Sequence, residues 1–373
     1  MPALMPWLLA VALVPVPSPG SGGSRRIDVN CQLGHALEGA IVRAKNIGGE
    51  VDIYVHGICV GNFIIDTGGI TLRGADNASG LAAPAGGFLP VIEVIDAQAS
   101  LRGLAVRGGP AGVVARGWDA EVFLVAVDVH GQTDIGVFGQ RGAQLTLIDS
   151  TVHDSEVGVL ADSSARLNLQ NVTVSDERIG VAVSQQSTAA LNGSTISNNR
   201  EAGLAVSSRS DVNVLGGAFR ENGQVHVHAG EWSEVSLLSG VTIGSEGDST
   251  PYSLSVIRGA AIASFSTPAI HGHVSALIGG SVQLGNTALT GDLIIQQFAN
   301  AYVRNAAIAG SVVCFDGAEA ICSSTTTLAV FGCPSPTCGP PAVGDGSRPA
   351  PHPAAPAIDL PRFDSPRLRS RAP

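Results

Sequence analysis

Apolar and polar residues recur along the middle of this chain with a long period. Segments beginning at Gly136, Gly158, Gly180 and Gly203 read "GVFGQRGAQLTLIDSTVHDSEV", "GVLADSSARLNLQNVTVSDERI", "GVAVSQQSTAALNGSTISNNREA" and "GLAVSSRSDVNVLGGAFRENGQV", spaced 22, 22 and 23 residues apart. A further copy starts near His226, and a slightly longer one at Gly112. One position past each glycine stand Val137, Val159, Val181 and Leu204, then Val227. Eleven past stand Leu147, Leu169, Leu191, Val214 and Leu237, and sixteen past stand Val152, Val174, Ile196 and Phe219. Around these columns apolar and polar residues alternate, as in strands with one buried face. Each copy therefore holds three short strands, near offsets 1–3, 9–11 and 14–16. Offset 13 holds Asp149, Asn171, Gly193 and Gly216, the residue types that tolerate a left-handed backbone. One turn repeated in space explains that column. Three strands and a stacked turn in each copy predict a parallel β-helix, an all-β solenoid.

A second period follows. Gly272, Gly291 and Gly310 open segments spaced 19 residues apart, so the coil narrows or loses a turn loop toward its C-terminal end. Before the repeats, Leu33, Leu37, Ala40, Ile41 and Ala44 fall on one helical face. A short amphipathic helix there caps the open end of the solenoid. "VDIYVHGICV" and "ITLRGAD" then read as first-rung strands. The solenoid is expected to run over 27–338 with this helical cap and a Cys-rich C-terminal end. Residues 1–24 carry an apolar run, Leu4 to Val16, too short to span a bilayer, followed by small residues. They read as a secretory signal peptide. Residues 339–373 are Pro-rich and aperiodic and read as a disordered tail.

Composition agrees with many short strands and turns: 47 glycines, 4% aromatic and 14% charged residues. The net charge of −10, with no basic block in the glycine-rich body, argues against a nucleic-acid partner. No second long apolar run is present, so membrane insertion is not expected. Six cysteines, Cys31, Cys59, Cys314, Cys322, Cys333 and Cys338, are disulfide candidates and support an exported, extracellular, cell-surface or periplasmic location. The pairing taken as a working guess is 31–59, 314–322 and 333–338. Zinc is the alternative for the last four cysteines, although no histidine lies near them at ligand spacing. No metal site is assigned.

These rungs, their Asp/Asn/Gly turn column and the opening "CQLGHALEGAIVRAKNIGGEVDIYVHGIC" resemble the right-handed parallel β-helix proteins of the pectate-lyase-like superfamily. The resemblance covers roughly 27–338. It implies a secreted right-handed coil, often with a sugar groove along the first-strand sheet. Outward positions on that sheet would be Phe138, Leu160, Ala182, Ala205 and His228, then Gln140, Asp162, Ser184, Ser207 and Gly230. Of these, Asp162 and His228 carry chemistry suited to substrate binding. Neither the carboxylate-and-base set of a polysaccharide lyase nor the Asp pairs and Gly-His-Gly of a glycoside hydrolase is present.

The turn after the third strand offers other candidates. Offset 18 reads Asp154, Asp176, Asn198 and Glu221, and offset 20 begins Glu156, Arg178 and Arg200. Rungs lie about 4.8 Å apart, so Asp154 and Asp176 repel. That repulsion raises a pKa for acid–base catalysis by His153, Asp154, Glu156 and Asp176, or calcium offsets it, or Arg178 and Arg200, which are also substrate-binding candidates, neutralise it structurally. No other cofactor is expected. Trp118 and Trp232 each lie six positions after a rung start, in one turn column, and either stack on sugar rings or simply pack a turn. The expected function is a secreted repeat protein interacting with extracellular polysaccharide, as a lyase or hydrolase if it is an enzyme. The alternative is a non-catalytic extracellular scaffold or adhesin-like surface module. Oligomeric state is left open.

Overall fold

In the computed structural model, which describes residues 24–34, 36–267 and 269–333, the strands of each copy stack on their counterparts in the next. One rung runs Ile135–Gln140, Gln144–Ile148 and Thr151–His153, and the next runs Val157–Ala161, Arg166–Gln170 and Thr173–Ser175. Every pairing between them is parallel. The anticipated columns are real. Val137, Val159, Val181, Leu204 and Val227 are register partners in turn. So are Leu147, Leu169, Leu191, Val214 and Leu237, and Val152, Val174, Ile196 and Phe219. All of these side chains are buried in one continuous core inside the coil.

The second strands form a sheet of 14, one per turn, from Arg25–Asn30 to Glu319–Ser323. The first-strand and third-strand ladders join into a single sheet because Ala307–Cys314 runs through both. The shorter C-terminal rungs lose their residues from one place. Seven positions separate Val174 on a third strand from Val181 on the following first strand, but four separate Leu289 from Leu293. The missing residues are those of the turn that carries Asp154 to Glu156 in the longer rungs. That turn is dispensable to the coil.

The cap is present. Helix α1, Leu37–Ile47, buries Leu37, Ala40, Ile41 and Ala44. Leu33 does not share its face. It ends a 3-10 turn, Cys31–Leu33, broken by Gly34 at φ 77°, and is exposed. A strand not anticipated, Arg25–Asn30, extends the second-strand sheet by pairing with Val51–His56. No helix among the described residues is long and apolar enough to cross a membrane.

Cys31 and Cys59 are bonded, as guessed. The other two guesses need correction, because Cys314 is bonded to Cys333. Val313 and Phe331 are register partners on stacked strands, which brings Cys333 beside Cys314, whereas Cys322 sits on the second-strand sheet. Cys322 is also disulfide-bonded, so no described cysteine offers a thiolate to zinc. Cys338, residues 1–23 of the signal peptide expected at 1–24, and the tail expected at 339–373 lie outside the described residues.

Candidate functional site

The strand Thr151–His153 pairs with Asp128–His130 one rung earlier, so His130 and His153 are direct partners. Their rings stack with centroids 5.1 Å apart and planes 12° from parallel. Nε2 of His153 is 3.1 Å from Asp128 Oδ1, and Nδ1 is 2.7 Å from Asp154 Oδ2. Burial disfavours a charged ring at His153, but Asp154 and Asp128 outweigh it and raise the pKa above the ordinary histidine value. Asp154, Asp176, Asn198 and Glu221 share a left-handed backbone, at φ 62°, 64°, 57° and 52°. Their residue types answer first to that turn. Asp176 itself is exposed.

Glu156 is clamped. Arg178 Nε reaches it at 3.0 Å and Arg200 Nη2 at 2.8 Å, and Arg178 also pairs with Glu201 at 2.6 Å. Arg200, then Arg178, lowers the Glu156 pKa, the reverse of what a general acid needs. The sequence reading missed Glu177, which is wholly buried one residue past Asp176. Its Oε2 accepts the Ser155 backbone N–H at 2.5 Å, while Oε1 has no hydrogen-bond partner that meets normal geometry among the described residues. Burial pushes its pKa up to about 7. The signal was its column: Ser155, Glu177, Asn199 and Asn222 stand at one offset and are all buried.

Asp162 and His228 are not open to solvent. Both are buried, Asp162 accepting from Ser163 and Ser184 and His228 facing Ser255, with burial lowering the His228 pKa to about 4. Phe138, Leu160, Ala182 and Ala205 are buried too, packed in a second apolar cluster with Ile135, Val157, Ile179 and Val225. The expected open groove on the first-strand sheet is therefore corrected.

The turn after the first strand is open instead. Three positions past the register partners Ala115, Gly139, Ala161, Val183, Val206, Ala229, Val256, Ala276, Ile295 and Cys314 runs one column. Trp118, Trp232 and Phe298 occupy it, 72%, 71% and 75% exposed. Each lies over a glycine of the following rung, Gly142, Gly259 and Gly317, where an added Cβ would strike the ring. The two tryptophans stand five rungs apart, about 24 Å, and Phe298 three rungs further, about 14 Å. Between the tryptophans, Ser163, Ser164, Gln185, Gln186, Ser208 and Arg209 line a shallow groove. Phe298 went unnoticed because it belongs to the rungs with the shorter period. A second trough, lined by Asp52, Arg73, Ser100, Arg102 and Phe123, lies on the second-strand sheet near the cap and holds none of the anticipated residues.

Residues 92–243 match the family model described as "Right handed beta helix region". No curated protein sequence matches the chain. Among solved structures, the A-module of the Azotobacter vinelandii mannuronan C-5 epimerase AlgE4 is similar at 14% identity and TM-score 0.54, over 83% of this chain and 94% of that one. The catalytic unit of a GH87 α-1,3-glucanase from Streptomyces thermodiastaticus strain HF3-3 is similar at 13% identity and TM-score 0.57, over 83% of this chain and 70% of that one. At such identities the likeness is one of fold. The protein folds as a right-handed parallel β-helix, and residues 92–243 carry the sequence signature of that fold.

Proposed function

We propose that the protein binds an extracellular polysaccharide along the edge that carries Trp118, Trp232 and Phe298. The observation behind this reading is that three large aromatic rings stay exposed in one turn column, each resting on a glycine of the next rung. A ring buried on one side and open on the other is a stacking platform for the apolar face of a sugar. The serine and glutamine hydroxyls and amides between the tryptophans supply hydrogen bonds to sugar hydroxyls without the charge a nucleic acid would require. Both similar folds quoted above belong to proteins named for polysaccharides, a mannuronan and an α-1,3-glucan. The disulfides suit an oxidising, exported setting.

The test is affinity electrophoresis and tryptophan fluorescence against a panel of uronate-containing and neutral polysaccharides. At least one should bind, and Trp118→Ala or Trp232→Ala should each weaken it roughly tenfold, about 1.4 kcal/mol. Arg102→Ala, in the trough near the cap, should leave binding unchanged. Binding that ignores both tryptophans, or no binding at all, refutes the assignment. Watching the same panel for unsaturated or reducing-end products tests whether His153, Asp154, Glu156 and Asp176 act on the bound chain. Loss of product in Asp154→Ala and Asp176→Ala, with folding intact, would locate chemistry at that turn.

A further inference from the structure

Asp128, His130 and His153 form the one group of three histidine, cysteine or carboxylate side chains, among the described residues, close enough to share a metal ion. One ligand atom from each of these residues lies within 4.8 Å of the others. Nε2 of His153 is 3.1 Å from Asp128 Oδ1, and Nδ1 of His130 is 3.2 Å from Asp128 Oδ2. The Asp128 carboxylate therefore faces both imidazoles, one through each oxygen.

Two further observations point to a ligand. His130 Nδ1 is shielded from water and has no hydrogen-bond partner among the described residues, although a carboxylate oxygen is near. A buried ring nitrogen without a partner is costly, and a cation shared with Asp128 would satisfy it. His153 is also held from behind. Its Nδ1 faces Asp154 Oδ2 at 2.7 Å, which turns Nε2 toward Asp128. A carboxylate behind a histidine is the arrangement that fixes ring orientation and raises basicity in metal sites. The backbone supplies the rest: parallel strands in register place His130 and His153 side by side.

We propose that Asp128, His130 and His153 bind one divalent transition-metal ion of the zinc, nickel, copper or cobalt type. Two imidazoles and one carboxylate select these ions over calcium and magnesium, which take oxygen ligands. Each of the three side chains is between about 29% and 49% exposed, so an ion can enter and a fourth position stays open to water or a ligand. Arg107, the exposed register partner of His130 on the preceding rung, is a cation beside the site and weakens it. The assignment does not rest on the polysaccharide reading.

The test uses the untagged full chain, stripped with EDTA and desalted. Zinc chloride is titrated calorimetrically and cobalt chloride by visible absorption. One zinc per chain is expected, with cobalt giving the ligand-field bands of a nitrogen-ligated site. His130→Asn, His153→Asn and Asp128→Asn should each weaken zinc roughly tenfold or more, and Asp154→Asn should weaken it by a smaller factor. Arg107→Gln should tighten it. Circular dichroism and melting in EDTA establish that each variant is folded. Absence of zinc binding by the wild type overturns the proposal. So does binding that survives loss of both histidines, or calcium bound more tightly than zinc.

Discussion

Glu177 occupies a column that its neighbours fill with amides. Asn199 Oδ1 accepts the backbone N–H of Glu177, and Asn222 Oδ1 accepts that of Asn199. Glu177 performs the same service for Ser155, but with a carboxyl group that burial drives up to about 7. Burial is the first cause of that rise, and it favours the protonated, neutral carboxyl in the folded state. Between pH ~4.5 and ~7 the folded chain keeps a proton that the unfolded chain gives up. Stability from this group is therefore complete below the unfolded pKa and is lost as pH rises through the folded one, about 3 kcal/mol in all. Glu177→Gln, neutral in both states, should melt higher than wild type at pH 8 and with little difference at pH 4.5. His226 and His228, both depressed by burial to about 4, oppose this by losing stability as pH falls below 6.5, but they do so equally in both proteins. The difference between the two melting curves across pH isolates Glu177. A difference that does not change with pH would remove the buried proton from the account.

In the rungs opened at Gly136, Gly158, Gly180 and Gly203, the glycine near the start of the first strand has a steric task. A Cβ on Gly158 would stand 2.7 Å from the carbonyl oxygen of Gly180 and 2.5 Å from a Val174 methyl, and Gly136, Gly180 and Gly203 meet the same crowding. Gly158→Ala should therefore lower stability by about 1–3 kcal/mol through overpacking. Gly39, exposed in helix α1 with nothing near its missing Cβ, should behave oppositely. Gly39→Ala should raise stability by about 0.5–1 kcal/mol. Thermal melts of the two variants check both signs, and a neutral Gly158→Ala would contradict the close packing of rungs. This glycine column was legible in the sequence, as were the inward-facing columns, because a stacked coil demands the same residue type at every turn. What lay between rungs was harder to read. Asp128 and His130 belong to the longer copy opened at Gly112, whose extra residues shift them out of step with His153. Cys333 meets Cys314 only through the stacking of whole turns. Alternation marked Asp162 and His228 as outward, but an outward position can still be buried, and the pattern does not encode that.

At the scale of the whole coil, turns touch little beyond their nearest neighbours, so the end turns are held from one side and fray first. The described disulfides sit at those ends. Cys31–Cys59 ties the 3-10 turn of the cap to the strand Ile58–Val60, and Cys314–Cys333 ties the last two described rungs together. Closing a loop of 28 residues, the Cys31–Cys59 separation, stabilises by about 3–4 kcal/mol on the chain-entropy model. Because contacts are local, that stabilisation should stay near the end where it is made. Hydrogen exchange followed by mass spectrometry makes the distinction. In Cys31→Ala/Cys59→Ala, amides of Arg25–Asn30, α1 and Val51–His56 should exchange faster, while those of Val157–Ala161 and Ile179–Val183 keep their wild-type protection. The central rungs carry the apolar core without interruption and need no staple. Uniform loss of protection from end to end would mean that the coil opens as a single cooperative unit. The cap disulfide would then stabilise the whole solenoid, and an exposed edge built from many turns, such as the one carrying Trp118, Trp232 and Phe298, would be held flat only while both ends stay closed.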